Sequence, residues 1–226
     1  MTQMALPLRL ADHAVFASFL SIGNEALVAT LADLASSASG QGCWLWGPSA
    51  IGKTHLLQAV CDSAGDRSVY VPLRMLADAG PEILDGLAGR DIICIDDIDA
   101  VAADPAWEGA LFTLCNQVLD ADRILIVSAA MSARECPISL PDLQSRLARL
   151  PIFQVQPLGE NERVMALQLR ARHRGLDLPD DTARYLLTRS RRDMASLYGL
   201  LDKLDLEALR AKRRLTIPFV KSVLES

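Results

Sequence analysis

The chain has 226 residues, of which 50% are apolar and 23% are charged. This composition is typical of a globular protein and excludes a disordered tail or a collagen-like repeat. Lys and Arg number 23 against 28 Asp and Glu, which gives a formal net charge of −5. That balance argues against a protein whose main partner is nucleic acid.

Charge is distributed unevenly along the chain. Residues 1–159 carry 9 basic and 18 acidic side chains, whereas residues 160–226 carry 14 basic and 10 acidic ones. No apolar run approaches the roughly 18 residues of a membrane span, and the N-terminus lacks the features of a secretory signal. The five cysteines form no C-x-x-C pair, and the three histidines have no ligand spacing. We therefore expect no zinc site, no membrane partner and a reducing, cytoplasmic location.

The first part of the chain alternates short apolar runs with amphipathic segments. Leu27, Leu31 and Leu34 recur at helical spacing, which predicts an amphipathic helix. Helices are predicted over 24–35, 53–63 and 106–119, and strands over 43–46, 69–71, 92–95, 124–127 and 152–155. Strands that alternate with helices indicate an α/β fold, with a five-stranded parallel sheet covered by helices on both faces.

The strand pattern stops after Pro157, and the rest of the chain has only helical patterns. The predicted helices cover 160–172, 181–190, 193–210 and 218–225. We therefore expect a small all-helical domain at 159–226, which begins where the charge balance changes sign. It follows an α/β domain at 11–158 and an extended N-terminal segment at 1–10, in which Pro7 disfavours helix.

A phosphate-binding motif follows the first predicted strand. The sequence there fits G-x-x-x-x-G-K-S/T, the P-loop pattern, and opens a predicted helix. Its residues are Gly47, Pro48, Ser49, Ala50, Ile51, Gly52, Lys53 and Thr54. The glycines let backbone N–H groups turn towards phosphate, and the following helix contributes about half a positive charge at its N-terminus. We expect Lys53 to reach the terminal phosphates and the Thr54 hydroxyl to ligate Mg²⁺.

Two acidic residues end the third predicted strand. Four apolar residues at 92–95 precede Asp96 and Asp97, so both carboxylates belong at the carboxyl edge of the sheet, where ligands of open α/β sheets bind. Asp96 is expected to hold Mg²⁺ through a nucleotide, together with Thr54, and Asp97 to orient a water molecule. Apolar strands often end in Asp, but a P-loop about forty residues upstream makes the pair a strong signal.

The P-loop, the strand ending in two acids and the C-terminal helices together resemble the AAA+ ATPases. The branch they resemble most is that of the bacterial replication initiator DnaA. Segment 16–24 is similar to that family's F-x-x-F-x-x-G-N pattern, and the resemblance implies that Phe16, Phe19 and Asn24 line an adenine pocket. His55, which directly follows the P-loop, is a further expected nucleotide contact.

The same resemblance implies nucleotide-contacting roles for two arginines. Segment 143–147 is similar to the family's L-x-S-R-F/L motif, which implies that Arg146 is an arginine finger acting in trans. Segment 192–194 resembles the sensor-2 motif, which implies that Arg192 contacts bound phosphate in cis. From the residues alone, a solvated surface position remains the alternative for both side chains.

The N-terminal segment resembles a docking motif. Residues 3–8 read Gln-Met-Ala-Leu-Pro-Leu and are similar to the Q-L-x-L-P-L motif that binds the sliding clamp of DNA polymerase III. An extended peptide could insert two leucines into apolar pockets while Gln makes one polar contact. The expected clamp-binding residues are Gln3, Met4, Leu6, Pro7 and Leu8. The alternative is a frayed terminus or an edge strand.

The docking motif and the place where the chain ends select one family within the branch. The sequence stops shortly after the helical domain, so we expect no helix-turn-helix domain of the kind DnaA carries there. Segments 168–172 and 215–221 are also similar to the Hda family of DnaA-related proteins. This resemblance implies ADP or ATP with Mg²⁺ as ligands, and DnaA and the β sliding clamp as partners, with DNA reached mainly through the clamp.

One segment departs from the family pattern. After the fourth predicted strand the family has a polar sensor-1 stretch, but here residues 127–130 read Val-Ser-Ala-Ala. With alanine at position 129, we expect weak or no ATP hydrolysis by the chain itself. The implied function is negative regulation of replication initiation through stimulated hydrolysis of DnaA-bound ATP. The alternatives are an autonomous ATPase of the helicase-loader type and a DNA-binding initiator-like protein, and homo-oligomerisation stays open.

Overall fold

Five parallel strands form the sheet of the computed structural model, which describes residues 14–189, 194–211 and 213–224. The strands are Gly42–Trp46 (β1), Ser68–Pro72 (β2), Ile92–Asp96 (β3), Ile124–Ala129 (β4) and Ile152–Gln154 (β5). They lie in the order β2-β3-β4-β1-β5, and every recorded pair is parallel. The predicted fold class is therefore confirmed.

Helices connect the strands and make up the C-terminal part. Those within the sheet domain are Glu25–Ser36 (α1), Lys53–Ala64 (α2), Leu73–Leu76 (α3), Pro105–Asp120 (α4) and Pro141–Leu147 (α5). Those after the sheet are Glu160–His173 (α6), Asp180–Arg189 (α7), Met194–Ala211 (α8) and Ile217–Leu224 (α9). α4 has a well-formed start, because the Asp104 carboxylate accepts the backbone N–H groups of Ala106 and Trp107.

The sheet is covered by apolar layers on both faces. Every residue of β3 and β4 is buried, as expected for central parallel strands. α4 covers one face with the side chains that its periodicity predicted, which are Trp107, Leu111, Leu114 and Val118. α1 and α2 cover the other face with Leu31, Leu56 and Leu57. This burial fixes the edge of the sheet at which each loop emerges.

The described helices after residue 159 have an apolar core of their own. Leu197, Leu201 and Leu204 of α8 lie at its centre and are at most 1% exposed. Arg174 Nη1 lies 2.6 Å from Asp202 Oδ1 and joins the end of α6 to α8. This confirms the predicted helical domain, whereas the exact boundaries of the three parts stay predictions. Within the described residues, no helix is both long and apolar enough to cross a bilayer.

The structure departs from the sequence-based elements at strand ends and between β2 and β3. β4 continues to Ala129, and β5 ends at Gln154 instead of Val155. α3 and several short 3-10 turns fill residues 73–89, for which no element was predicted. Such turns are too short to show a periodic apolar pattern, and Leu73 and Leu76 anchor them in the same buried cluster as the apolar face of α4.

Candidate functional site

The P-loop lies at the carboxyl edge of the sheet, between β1 and α2. β1 ends at Trp46 and α2 begins at Lys53, so the loop spans the strand–helix junction that the motif predicted. Gly52 adopts a φ of +109°, which side chains rarely tolerate. A Cβ atom there would lie 2.9 Å from Cε2 of Phe19. The second motif glycine is therefore required both by the backbone and by an aromatic ring packed against it.

Lys53 lies folded into this loop. Its Nζ atom donates hydrogen bonds to the carbonyl oxygens of Gly47, at 2.7 Å, and Pro48, at 3.0 Å. The residue is 6% exposed. Burial lowers the pKa of Lys53, and the neighbouring acids, Asp97 foremost, oppose that shift. The loop thus holds a buried cation at the start of a helix, which suits a phosphate group.

Asp96 is the centre of a network of hydroxyl groups. Thr54 Oγ1 and the Tyr70 hydroxyl each donate to Asp96 Oδ2 at 2.7 Å. Ser128 Oγ donates to Oδ1 and accepts the backbone N–H of Asp97 at 3.0 Å. Asp96 is 3% exposed, so these three donors replace the water that a buried carboxylate would otherwise require.

This network fits a magnesium-bound nucleotide. Mg²⁺ prefers oxygen ligands and is usually held by one or two carboxylates together with substrate phosphates. The Thr54 hydroxyl and the Asp96 carboxylate are adjacent oxygens next to the P-loop, as the sequence predicted. When bound, the metal would neutralise phosphate charge, and Thr54 and Asp96 would be the residues that hold it.

Tyr70 is a site residue that no sequence pattern indicated. Tyr70 lies on β2, which pairs directly with β3, so its hydroxyl reaches the acid at the end of the neighbouring strand. Burial raises the pKa of Tyr70, and Asp96 raises it further, which keeps the hydroxyl protonated as a donor. Only the order of the strands brings the two residues together, and no motif around position 70 indicates it.

Asp97, the second acid, is engaged by an arginine. Its Oδ2 atom lies 2.7 Å from Arg74 Nε on α3, and Arg74 Nη2 lies 3.4 Å from Asp99. Asp97 adopts a φ of +55°, in the left-handed region. A paired carboxylate is less available to orient a water molecule, and Ala129 beside it adds no polar group. Arg74 was also missed, because it lies in the turn region that no pattern predicted.

The segment before α1 packs onto the first turn of the P-loop helix. The Phe19 ring meets the His55 ring edge-on, with centroids 5.4 Å apart. His55 Nε2 lies 3.0 Å from the Val15 carbonyl oxygen, which can only accept, so this nitrogen carries the proton. Phe16 begins a 3-10 turn in the same segment and packs against the α2 layer. His55 therefore holds the segment in position, and its expected nucleotide contact stays a prediction.

Asn24 ties the same segment to the connection after β5. Its Oδ1 atom accepts the backbone N–H of Gln156 at 2.8 Å, and its Nδ2 donates to the Gln156 carbonyl at 3.1 Å. The side chain is buried, with 4% exposed. Both ends of the amide are thus used to fix two chain segments 132 residues apart, which is a positioning role for any adenine pocket formed there.

Arg146 lies away from the P-loop. It is in the last turn of α5, and Nη1 lies 3.4 Å from Asp120 at the end of α4. Arg146 also lines a cavity formed by the residues that precede β1 and β4, at the amino edge of the sheet. β1 alone separates that edge from the P-loop by about 13 Å, at roughly 3.3 Å per residue.

The remaining predicted site residues lie outside the described part of the chain. These are the clamp-binding residues Gln3, Met4, Leu6, Pro7 and Leu8, and the sensor-2 residue Arg192. Their roles stay predictions.

Replacing Lys53 should weaken nucleotide binding. Lys53→Ala removes the cation that the loop offers to phosphate, and we expect the Kd for ADP to rise about 10- to 100-fold, the range for a lost hydrogen bond between charged groups. Calorimetric titration with ADP and Mg²⁺ measures this. Lys221→Ala, an exposed lysine on α9, is the matched control. Unchanged ADP affinity in Lys53→Ala would contradict the assignment of this loop.

Acid should destabilise the fold through His55. Burial lowers the pKa of His55 from 6.5 to about 4, against a smaller opposing effect of the bond to Val15. Below pH 6.5 the His55 side chain is therefore protonated in the unfolded chain, whereas in the folded chain it stays neutral down to about pH 4. The free energy of unfolding should fall through this window, by about 2 kcal/mol at pH 5.

Thermal or urea unfolding between pH 7 and pH 4.5 tests this expectation. His55→Gln should flatten the dependence, while His173→Gln, which changes an exposed histidine at the end of α6, should leave it as in the parent protein. An equal pH dependence in the parent and His55→Gln proteins would show that other groups cause it.

Comparison with known proteins agrees with this arrangement. Residues 160–224 match the family model described as "Hda, lid domain", and residues 43–132 match the one described as "RNA helicase". The fold is similar to domain III of the replication initiation protein DnaA from Thermotoga maritima, with a TM-score of 0.79 and 18% identity over 96% of this chain and 98% of that one.

Two further solved structures share the fold. AMPPCP-bound DnaA from Aquifex aeolicus aligns with a TM-score of 0.70 and 18% identity, over 89% of this chain and 68% of that one. The RuvB Holliday junction branch migration motor of Thermotoga maritima aligns with a TM-score of 0.64 and 18% identity, over 93% and 72%. The chain therefore has the fold of DnaA domain III, and its residues 160–224 match the lid domain of the Hda family.

Proposed function

We propose that this protein is a negative regulator of replication initiation that stimulates hydrolysis of ATP bound to DnaA. In this proposal residues 3–8 tether it to the DNA-loaded sliding clamp, and Arg146 acts in trans as the arginine finger. Its own P-loop holds ADP or ATP with Mg²⁺, chiefly as a structural ligand. Both partners and all ligands of this scheme are those of a cytoplasmic protein.

The position of Arg146 is the observation that supports this proposal most directly. The guanidinium lies at the amino edge of the sheet, while the P-loop lies at the carboxyl edge, beyond the length of β1. A side chain of this length cannot cross the sheet to its own nucleotide. It is half-buried and borders a cavity, which supports a role towards a phosphate group of a second protein.

The chain's own site supports holding a nucleotide over hydrolysing it. Asp97 is paired with Arg74, Ser128 is fully buried against Asp96, and Ala129 offers no polar group to a water molecule. Hydrolysis by AAA+ and related P-loop proteins requires a group that orients the attacking water. A protein that lends a finger does not need that group, because the partner supplies the water site.

The leading alternative is an autonomous motor. The P-loop, Thr54 and Asp96 are all suitably arranged for bound Mg²⁺ and nucleotide, and these features are common to AAA+ motors. Appreciable ATP turnover by the isolated chain would favour a motor. The basic helical domain leaves DNA binding as another alternative, which salt-dependent affinity for duplex DNA without the clamp would favour.

Arg146→Ala should abolish stimulation of DnaA. A finger typically contributes 10³- to 10⁵-fold in rate, so we expect nearly complete loss of the clamp-dependent conversion of DnaA-bound ATP to ADP. Affinity for ADP should be unchanged, because Arg146 is remote from the P-loop. Arg146→Lys should not restore the rate, since an ammonium lacks the planar fork of a guanidinium.

The readout is the fraction of DnaA-bound ATP converted over time with loaded clamp present. Arg210→Ala is a matched control, because Arg210 is an exposed arginine on α8 that is paired with Glu207. Full stimulation by the Arg146→Ala protein would refute the mechanism.

Clamp binding should depend on the N-terminal segment. Replacing Gln3, Leu6 and Leu8 together by alanine removes the expected polar contact and both apolar anchors, so clamp binding in a pull-down or surface-binding assay should be lost. We expect the thermal midpoint to change little, because the sequence predicts an extended docking segment outside the core.

Thr2→Ala, one position outside the motif, is the control for this experiment. Clamp binding by the triple variant would mean that the docking site lies elsewhere. A much lower thermal midpoint would instead favour a structural role for the segment.

A further inference from the structure

A cavity of about 390 Å³ opens at the amino edge of the sheet. It lies between the turn before β1, the α4–β4 connection and the end of α5. Leu119 and Leu150 form its apolar part, whereas its charged groups are three arginines and one acid, namely Arg123, Arg146, Arg149 and Asp122. A volume of this size is in the range of small-molecule sites.

The arginines that line the cavity outnumber the acidic side chains beside them. Among the described residues, neither the Arg123 nor the Arg149 side chain has a recorded ion pair or hydrogen bond. Arg146 has one long contact, at 3.4 Å, to Asp120, whose side chain is 67% exposed. Asp122 is the single acid in the lining. Three arginines in one lining with so few acidic partners favour an anionic ligand.

The backbone holds these arginines in fixed positions. Arg123 directly precedes β4, and its N–H donates to the Val118 carbonyl at 2.9 Å. The Arg149 N–H donates to the Arg146 carbonyl at 3.2 Å, which ties both residues to the end of α5. A Cβ atom at Gly42 would lie 1.9 Å from the Leu125 carbonyl oxygen, so β1 and β4 meet closely behind the cavity. The site is therefore preorganised at the backbone level.

We infer that this cavity is a binding site for the phosphate chain of a nucleotide, in which Arg123 and Arg149 act together with Arg146. This inference rests on the proposed function and adds two binding residues to the single finger. The planar fork of arginine matches phosphate oxygens, and several arginines are needed to balance a polyphosphate. Because the cavity faces away from the chain's own P-loop, the phosphates are those of a nucleotide held by a second protein.

Binding of inorganic tripolyphosphate to the full chain tests the site without any partner. All proteins carry Lys53→Ala, so that the P-loop contributes little. Calorimetry at low salt compares this parent with Arg123→Gln, Arg149→Gln and, as a control of equal charge change, Arg210→Gln. We expect each cavity variant to bind tripolyphosphate about tenfold more weakly, and the control to bind like the parent.

Equal affinities for the cavity variants and the control, or no binding by the parent, would overturn the inference. Arg149 is exposed, so Arg149→Gln remains informative if the half-buried Arg123 proves necessary for folding. A thermal melt of each variant identifies that case.

A second measurement separates this inference from the proposed function. With otherwise unaltered chains, Arg123→Gln and Arg149→Gln should each slow the hydrolysis of DnaA-bound ATP at least tenfold, while Arg210→Gln should not. If the cavity binds tripolyphosphate but no chain stimulates DnaA, the site stands and the proposed function fails. If stimulation requires Arg146 but is unaffected by the other two arginines, the function stands and this inference fails.

Discussion

The buried carboxylate of Asp96 is the constraint on which the nucleotide site depends. It is 3% exposed and accepts hydroxyl groups from α2, β2 and β4, the elements that surround the end of β3. An unpaired charge at this depth would cost several kcal/mol. The three donors satisfy it, and because they come from three different elements they also fix how the P-loop helix sits on the sheet.

The same network explains why the departure at the end of β4 matters. The Ser128 hydroxyl bonds both the Asp96 carboxylate and the backbone N–H of Asp97, so it holds the acid pair and is not free to bind a water molecule. The Asp97 carboxylate forms an ion pair with Arg74. Among the described residues, the carboxyl edge therefore combines a candidate phosphate and metal site with few groups free to orient a water molecule. That combination is the physical basis for proposing a structural nucleotide in place of a hydrolysed one.

The two edges of the sheet carry different candidate functional residues. The carboxyl edge carries the P-loop, Asp96 and the segment held by His55 and Asn24, which together form the candidate nucleotide site. The amino edge carries Arg146 and its cavity, directed away from it. In the proposed function Arg146 acts on a nucleotide held by a second protein, so the residues at the two edges of the sheet would serve different nucleotides.

The sequence by itself determined the fold class, the phosphate loop and the acid pair. These follow from local rules: apolar runs and periodicity define strands and helices, and a P-loop needs its glycines, lysine and threonine to be contiguous. The tertiary structure alone decided the partners of these residues. Tyr70 reaches Asp96 only because β2 lies beside β3, Arg74 reaches Asp97 from a turn without periodicity, and Arg123 lines the same cavity as Arg146. Such contacts join residues that are distant in sequence, and strand order, which no local pattern encodes, brings them together.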